Sequence, residues 1–268
     1  MNASYILPDS IVSLAGLAEP YAGLSHLLGA FVFTALAIIT LRRRHHALPR
    51  AHSVLVFVTS CIVLLAISGI YHLLAPETAA RAWMRRVDHA AIFVLIAGTY
   101  TPVAAFLMEE DRGRRLLVWV WGAAIAGVVA KLVWFESISY SAGVGMYLGL
   151  SWMALVVGAE ICRRHGYATL RPLLVGGLVY TFGALAEILW DPTVIPGVFG
   201  SHELFHTSVL VGAGFHWYFV FGLLLRSDQA LMGRVDRDRA GSEGCVGSIA
   251  QALGDESALV PLNIEPTL

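Results

Sequence analysis

Apolar runs of about 20 residues recur along this chain, each closed by a short charged or Pro/Gly patch. A run of that length lets an α-helix cross about 30 Å of hydrocarbon. The runs are continuously apolar rather than alternating, which excludes a transmembrane β-barrel. Charged residues make up 14% of the chain, against roughly 25% in soluble domains, so lipid is the solvent for most of it. The expected fold is all-α, a polytopic membrane protein built as a seven-transmembrane helix bundle.

The spans read as 22–42, 53–75, 88–108, 115–135, 143–162, 172–190 and 202–226. Arg42, Arg43 and Arg44 close the first, and the second runs into Pro76. Asp88 is expected to open the third, with an N-cap as its plain structural role. Pro172 is expected to open the sixth from the first helical turn, and Ser201 to cap the seventh. The bundle domain is thus 1–226. Residues 227–268 carry seven acidic and three basic side chains with several Gly and Ser. They read as a mostly disordered tail with at most a short helix near 245–254. No internal repeat stands out, so the two matching halves of a transporter are not expected.

Lysines and arginines divide unevenly between the two faces. The loops after spans one, three and five, with the tail, hold Arg42, Arg43, Arg44, Arg50, Arg112, Arg114, Arg115, Arg163, Arg164, Arg171, Arg226, Arg234, Arg237 and Arg239. Only Arg81, Arg85, Arg86 and Lys131 fall to the other side. The positive-inside rule then puts the protein in the cell membrane with its N-terminus outside and its C-terminus cytoplasmic. A net charge of −1 gives no reason to expect nucleic acid as a partner. Cys61, Cys162 and Cys245 lack CxxC spacing, so neither a disulfide framework nor a cysteine zinc site is expected. The N-terminus lacks the basic segment of a signal peptide, so the first span is expected in the mature protein.

Polar side chains at membrane depth cost several kcal/mol unless partnered, which makes each one informative. Ser68 and His72 are four apart near the end of span two, and therefore share a helical face about 6 Å apart along the axis. His202 and His206 are four apart at the start of span seven. The end of span two and the starts of spans three and seven lie at one membrane face, so three imidazoles and the Asp88 carboxylate can meet there. Three histidines with an open position form the catalytic zinc pattern. In that arrangement Asp88 faces the reacting water, and Ser68 supports it or binds a substrate carbonyl. Ser68 alone also reads as a hydroxyl bonded within its own helix. His26, His89 and His216, taken singly, read as interhelical hydrogen bonders. His202-Glu203-Leu204-Phe205-His206 also matches H-E-x-x-H, the zincin pattern with Glu203 as general base. Glu187, Glu160 and Lys131 read as pairing or snorkelling charges, and Trp119, Trp121, Trp134, Trp152 and Trp217 as interface anchors or packing.

Three blocks carry a resemblance: Ser-Gly-Ile-Tyr-His at 68–72, the run from Asp88 through Gly98-Thr99-Tyr100-Thr101-Pro102, and Ser201-His202-Glu203-Leu204-Phe205-His206. Over about residues 19–226 the chain resembles the hemolysin III-like proteins of the progestin and adipoQ receptor family, and more distantly the alkaline ceramidases. The resemblance implies a zinc ion held by His72, His202 and His206, with the family's aspartate at Asp88 and its serine at Ser68. Glu19 and His26 match part of the family's span-one pattern, where Ala22 takes the place of an asparagine. The receptor branch implies a cytoplasmic N-terminus, opposite to the charge count, and the ceramidase branch implies the reverse.

Two functions from different classes follow. One is a zinc-dependent hydrolase of a lipid amide or ester, ceramidase-like, with Asp88 as general base. The other is a receptor or membrane-homeostasis sensor, with a membrane lipid as ligand and zinc as a structural staple. A membrane protease using Glu203 is a further alternative, and lysis of host cells ranks last.

Overall fold

The computed structural model describes the backbone of residues 17–43 and 48–256, and the side chains of 17–42, 50–227 and 229. Its elements are helices: α1 (Pro20–Arg43), α2 (Leu48–Leu73), α3 (Ala79–Leu107), α4 (Glu110–Val133), a 3-10 turn (Phe135–Ser137), α5 (Tyr140–Trp152), α6 (Ala154–His165), α7 (Tyr167–Leu189) and α8 (Ser201–Glu256). Among the described residues, seven segments are long and apolar enough to cross a membrane, with α5 and α6 together forming the fifth, Tyr140–His165. The protein is a seven-helix membrane bundle.

Three spans are interior. About half or more of the apolar stretch of α2 (56%), α3 (61%) and the first part of α8 (50%) is buried, against 17–22% for the other four. The outer helices therefore present their apolar side chains, Phe31, Trp119, Val156 and Leu178 among them, to lipid. A core of Phe33, Phe57, Leu65, Val220 and Leu224 joins α1, α2 and α8, and a second of Phe93, Tyr100, Val120 and Tyr147 joins α3, α4 and α5. Lipid is as apolar as these side chains, so close backbone approach has to supply much of the association. Gly23 on α1 and Gly69 on α2 do this: a Cβ on Gly23 would lie 3.1 Å from the Gly69 carbonyl oxygen, and one on Gly69 would lie 3.0 Å from that of Gly23.

Several boundaries differ from those read in the sequence. The third span begins at Ala79, with Thr78 as its N-cap accepting from the Arg81 N–H at 3.2 Å, so Asp88 lies deep inside the helix and is not its cap. Three arginines made residues 81–86 read as loop. The Arg81 side chain is nevertheless accommodated, donating to the carbonyl of Leu74 at 2.5 Å and to Glu19 at 2.6 Å. Pro172 sits inside α7 rather than opening it. The helix starts earlier because Gly166, at φ 80°, turns the chain into Tyr167, and a proline within a membrane helix is tolerated. Ser201 is the first helical residue of α8 rather than its cap, and its hydroxyl donates to Asp191 at 2.5 Å. The fifth span breaks at Met153, where the Tyr100 hydroxyl, 2.9 Å from the carbonyl oxygens of both Leu150 and Ser151, bonds backbone that the break leaves open.

The chain divides into a unit ending at Leu224 and a second from Leu225. In the second, where a mostly disordered tail was expected, the described backbone is helical as far as Glu256; residues 257–268 lie outside the described residues.

Candidate metal centre

Ser68 and His72 occupy the last turns of α2, and both are 2% exposed. His202 and His206 occupy the first two turns of α8. Each of His72, His202 and His206 offers one ring nitrogen, and the three nitrogens lie within 4.8 Å of one another. The structure thus brings together the three histidines that the sequence pattern selected.

The hydrogen bonds around the rings determine which nitrogens are free. His72 donates from Nδ1 to the Glu19 carboxylate, and His202 donates from Nδ1 to Glu187 at 2.8 Å. A carboxylate can only accept here, so both rings carry their proton on Nδ1 and present a bare Nε2. The Nδ1 of His206 lies 2.9 Å from Nε2 of His26, and its Nε2 lies 3.0 Å from Nε2 of His202. Two imidazole nitrogens at that distance require a proton or a cation between them. Zinc–nitrogen bonds of about 2.0–2.1 Å set tetrahedral ligands about 3.3 Å apart. Three neutral imidazole nitrogens within 4.8 Å of one another are a donor set whose chemistry fits zinc. Glu19 and Glu187 also place negative charge behind two of the rings, which offsets a divalent cation at membrane depth.

Asp88 is 8% exposed, and the Ser68 hydroxyl donates to its carboxylate. Ser68, His72, Asp88, His202 and His206 all line one cavity of about 250 Å³. From this polar end the cavity continues between α3, α5, α6, α7 and α8, past Ile92, Leu148, Thr181 and Leu173 to Ile161 and Leu170, and its wall is mainly apolar. His202 is the most open of the three histidines, with 34% of its side chain accessible.

Glu203, the other carboxylate picked out by the sequence, faces elsewhere. Its side chain accepts from the Gly200 N–H at 2.9 Å and is 2% exposed. This is the return bond of a capping box, in which a residue in the first turn binds the N–H that precedes the helix. Glu203 is not among the residues lining the cavity.

Three residues named in the sequence without a role in the cluster prove to be its partners. Glu19 joins His72 to Arg81 from just before the first span. Burial pushes the Glu19 carboxyl up, but the hydrogen bond from His72 and the charge of Arg81 outweigh it and hold the group below the usual carboxylate range. His26 is the interhelical bonder expected of it, and its partner is a member of the cluster: its ring lies tilted at 46° against His206 with centroids 4.1 Å apart. Glu187, a pairing or snorkelling charge in the sequence, pairs with His202. The signal for it was available: it ends span six at the membrane face where His202 begins span seven. His216 behaves as expected, bonding the carbonyl of Leu173 on α7 at 3.1 Å, whereas the His89 ring bonds within its own helix, at the carbonyl of Arg85 at 2.8 Å.

Seven apolar spans with a buried polyhistidine cluster and an adjoining carboxylate define an integral membrane protein with a candidate metal centre. The family model described as Haemolysin-III related matches residues 16–217, and the chain belongs to that family. It is 27% identical over 207 residues to Hemolysin-3 of Bacillus cereus, covering 75% of this chain and 90% of that one. It is 33% identical over 127 residues to the Hemolysin-3 homolog of Bacillus subtilis (strain 168), covering 47% and 56%. A plant protein is also similar: the Heptahelical transmembrane protein ADIPOR2 of Oryza sativa subsp. japonica, 28% identical over 195 residues, covering 67% and 84%.

Proposed function

We propose that this protein is a zinc-dependent hydrolase of a membrane lipid's amide or ester bond. The observation that carries the reading is the opening of the histidine cluster and Asp88 into a mainly apolar cavity at the end of the interior helices. His72, His202 and His206 would hold the ion through nitrogen. Zinc held there supplies Lewis-acid activation of a carbonyl and of water. The apolar wall takes an acyl chain and excludes bulk water. Asp88, held by the Ser68 hydroxyl, accepts a proton from the attacking water and passes it to the leaving amine or alkoxide. Ser68 fixes the carboxylate in place for both transfers.

A lipid receptor or homeostasis sensor with a structural zinc is the second reading, supported by the way the same histidines tie α2 to α8. The protease reading has less support, because Glu203 is occupied at the helix start. The deciding experiment incubates purified protein with a panel of ceramides and phospholipids and measures released fatty acid by mass spectrometry. Release that depends on zinc and on Asp88 supports the hydrolase. A zinc-loaded protein that turns over no lipid in the panel favours the sensor.

The arginine distribution supports a cell-membrane location with the N-terminus outside. An N-terminal epitope tag should be accessible in intact cells and a C-terminal one only after permeabilisation. The opposite pattern reverses the orientation.

A further inference from the structure

Each histidine of the cluster leans on a different partner: His72 on Glu19, His206 on His26 and His202 on Glu187. Just as His26 comes from α1, Glu187 comes from a helix that gives the cluster no ligand, and it stands two residues before the end of α7. Its side chain is 13% accessible, and it lines the cavity beside His202. The carboxylate oxygen Oε1 accepts the His202 Nδ1–H at 2.8 Å, while Oε2 is buried with no hydrogen-bond partner among the described residues. A carboxylate left half-satisfied in a membrane interior is costly. Its single strong bond is to the most accessible of the three ligand rings.

The geometry points to Glu187 as the positioning residue of His202, a role that rests on the metal reading above. The carboxylate does two things to that ring. It fixes the proton on Nδ1, which leaves Nε2 bare and 3.0 Å from Nε2 of His206. It also raises the basicity of Nε2 and keeps the ring from swinging into the cavity. His202 follows the α7–α8 connection, in which Asp191 has a positive φ of 42° and Ile195 bridges Phe199. The bond from Glu187 therefore ties the two ends of this connection together, and makes α7 a participant in metal binding although it contributes no ligand. Partners of this kind typically set metal affinity by 10–100-fold.

The test uses the full chain purified in detergent, with zinc affinity measured by competition against a chromophoric chelator. Three variants are compared with wild type: Glu187→Ala, Glu187→Gln and Glu160→Gln. Glu160 pairs with Arg112 and Arg164 on α4 and α6 and serves as the control carboxylate. Glu187→Ala should weaken zinc binding by about 10–100-fold. Glu187→Gln keeps the shape and an acceptor but loses the charge, and should weaken it by about 10-fold, the low end of that range. Glu160→Gln should bind as wild type does. Because Glu187→Ala risks misfolding, the isosteric Glu187→Gln is decisive. Wild-type zinc affinity in Glu187→Gln overturns the assignment while leaving the metal centre intact, as does an equal loss in Glu160→Gln. A wild-type protein that takes up no zinc overturns the metal centre and this role together. A Co²⁺-loaded sample gives a readout independent of turnover: the visible absorption should change in Glu187→Gln and stay unchanged in Glu160→Gln.

Discussion

One substitution, Gly→Ala, should have opposite consequences at two helical glycines. At Gly69 the added Cβ would sit 2.7 Å from Leu27 Cγ, 2.8 Å from Leu27 Cδ2 and 3.0 Å from the Gly23 carbonyl oxygen. Carbon atoms pack best at about 3.5–4.0 Å, so Leu27 or the helix itself must give by roughly an ångström. Rotating Leu27 cannot relieve the backbone contact, because the limiting atom there belongs to α1. Overpacking of this sort costs about 1–3 kcal/mol, and the better helix propensity of alanine returns up to about 1 kcal/mol. At Gly122, on α4, a Cβ meets nothing within 4 Å, so only the propensity gain remains. Gly69→Ala should lose about 1–2 kcal/mol net. With about 2–4 °C per kcal/mol for a chain of this size, its melting temperature should fall by roughly 2–8 °C. Gly122→Ala should match wild type or exceed it by up to about 4 °C. Thermal unfolding in detergent, followed by tryptophan fluorescence, measures both. If Gly69→Ala melts at or above Gly122→Ala, close α1–α2 contact is not what joins these helices. Because Glu19 leads into α1 and His72 is on α2, the destabilised variant should also lose zinc affinity.

Metal analysis of the purified protein should give about one zinc per chain through the three-histidine pattern, and the double variant His202→Ala/His206→Ala should contain none. Equal zinc in the two would remove the metal centre. Tyr100→Phe deletes the hydroxyl that bonds the Leu150 and Ser151 carbonyls at the break between α5 and α6. Unsatisfied buried acceptors cost about 1–3 kcal/mol, so the melting temperature should drop. An unchanged melting temperature would mean that the break finds other partners.

The spans were legible in the sequence because an uninterrupted apolar run has few alternatives in lipid. The errors lie where charge or proline interrupts that signal. Arg81, Arg85 and Arg86 hid the first turns of α3, although Arg81 lies against Glu19 and its guanidinium covers the Tyr71 ring at 4.9 Å. Pro172 looked like a helix start because the turn made by Gly166 carries no hydropathy signal. For the site, i,i+4 spacing selected His72, His202 and His206, since each pair spans one turn of one helix. Glu19, His26 and Glu187 act across helices, and their roles depend on which faces meet. No spacing along the chain encodes that. Glu203 shows the converse: a short motif match singled out a residue whose side chain turns back to the Gly200 N–H.

The division of labour between Asp88 and Glu203 is the sharpest test of the proposed chemistry. Asp88 lines the cavity with the histidines and takes the Ser68 hydroxyl, whereas Glu203 points away from the cavity and caps α8. Asp88→Asn keeps the shape and an acceptor for Ser68 but removes the basicity. Loss of a general base typically costs 10²–10⁴-fold in rate, about 3–5 kcal/mol of barrier. Glu203→Gln should change turnover by no more than a few-fold, because glutamine serves as well as glutamate in a capping box and still accepts the Gly200 N–H. Zinc content has to be measured in both variants first, since lost metal imitates lost catalysis. Turnover abolished in Glu203→Gln and preserved in Asp88→Asn would reverse the assignment and favour the protease. If neither substitution changes a measured turnover, neither carboxylate is the base. If wild type itself hydrolyses no lipid while holding zinc, the metal serves to bind α2 to α8. The apolar cavity then becomes a ligand pocket, and Asp88→Asn should alter lipid binding instead of rate.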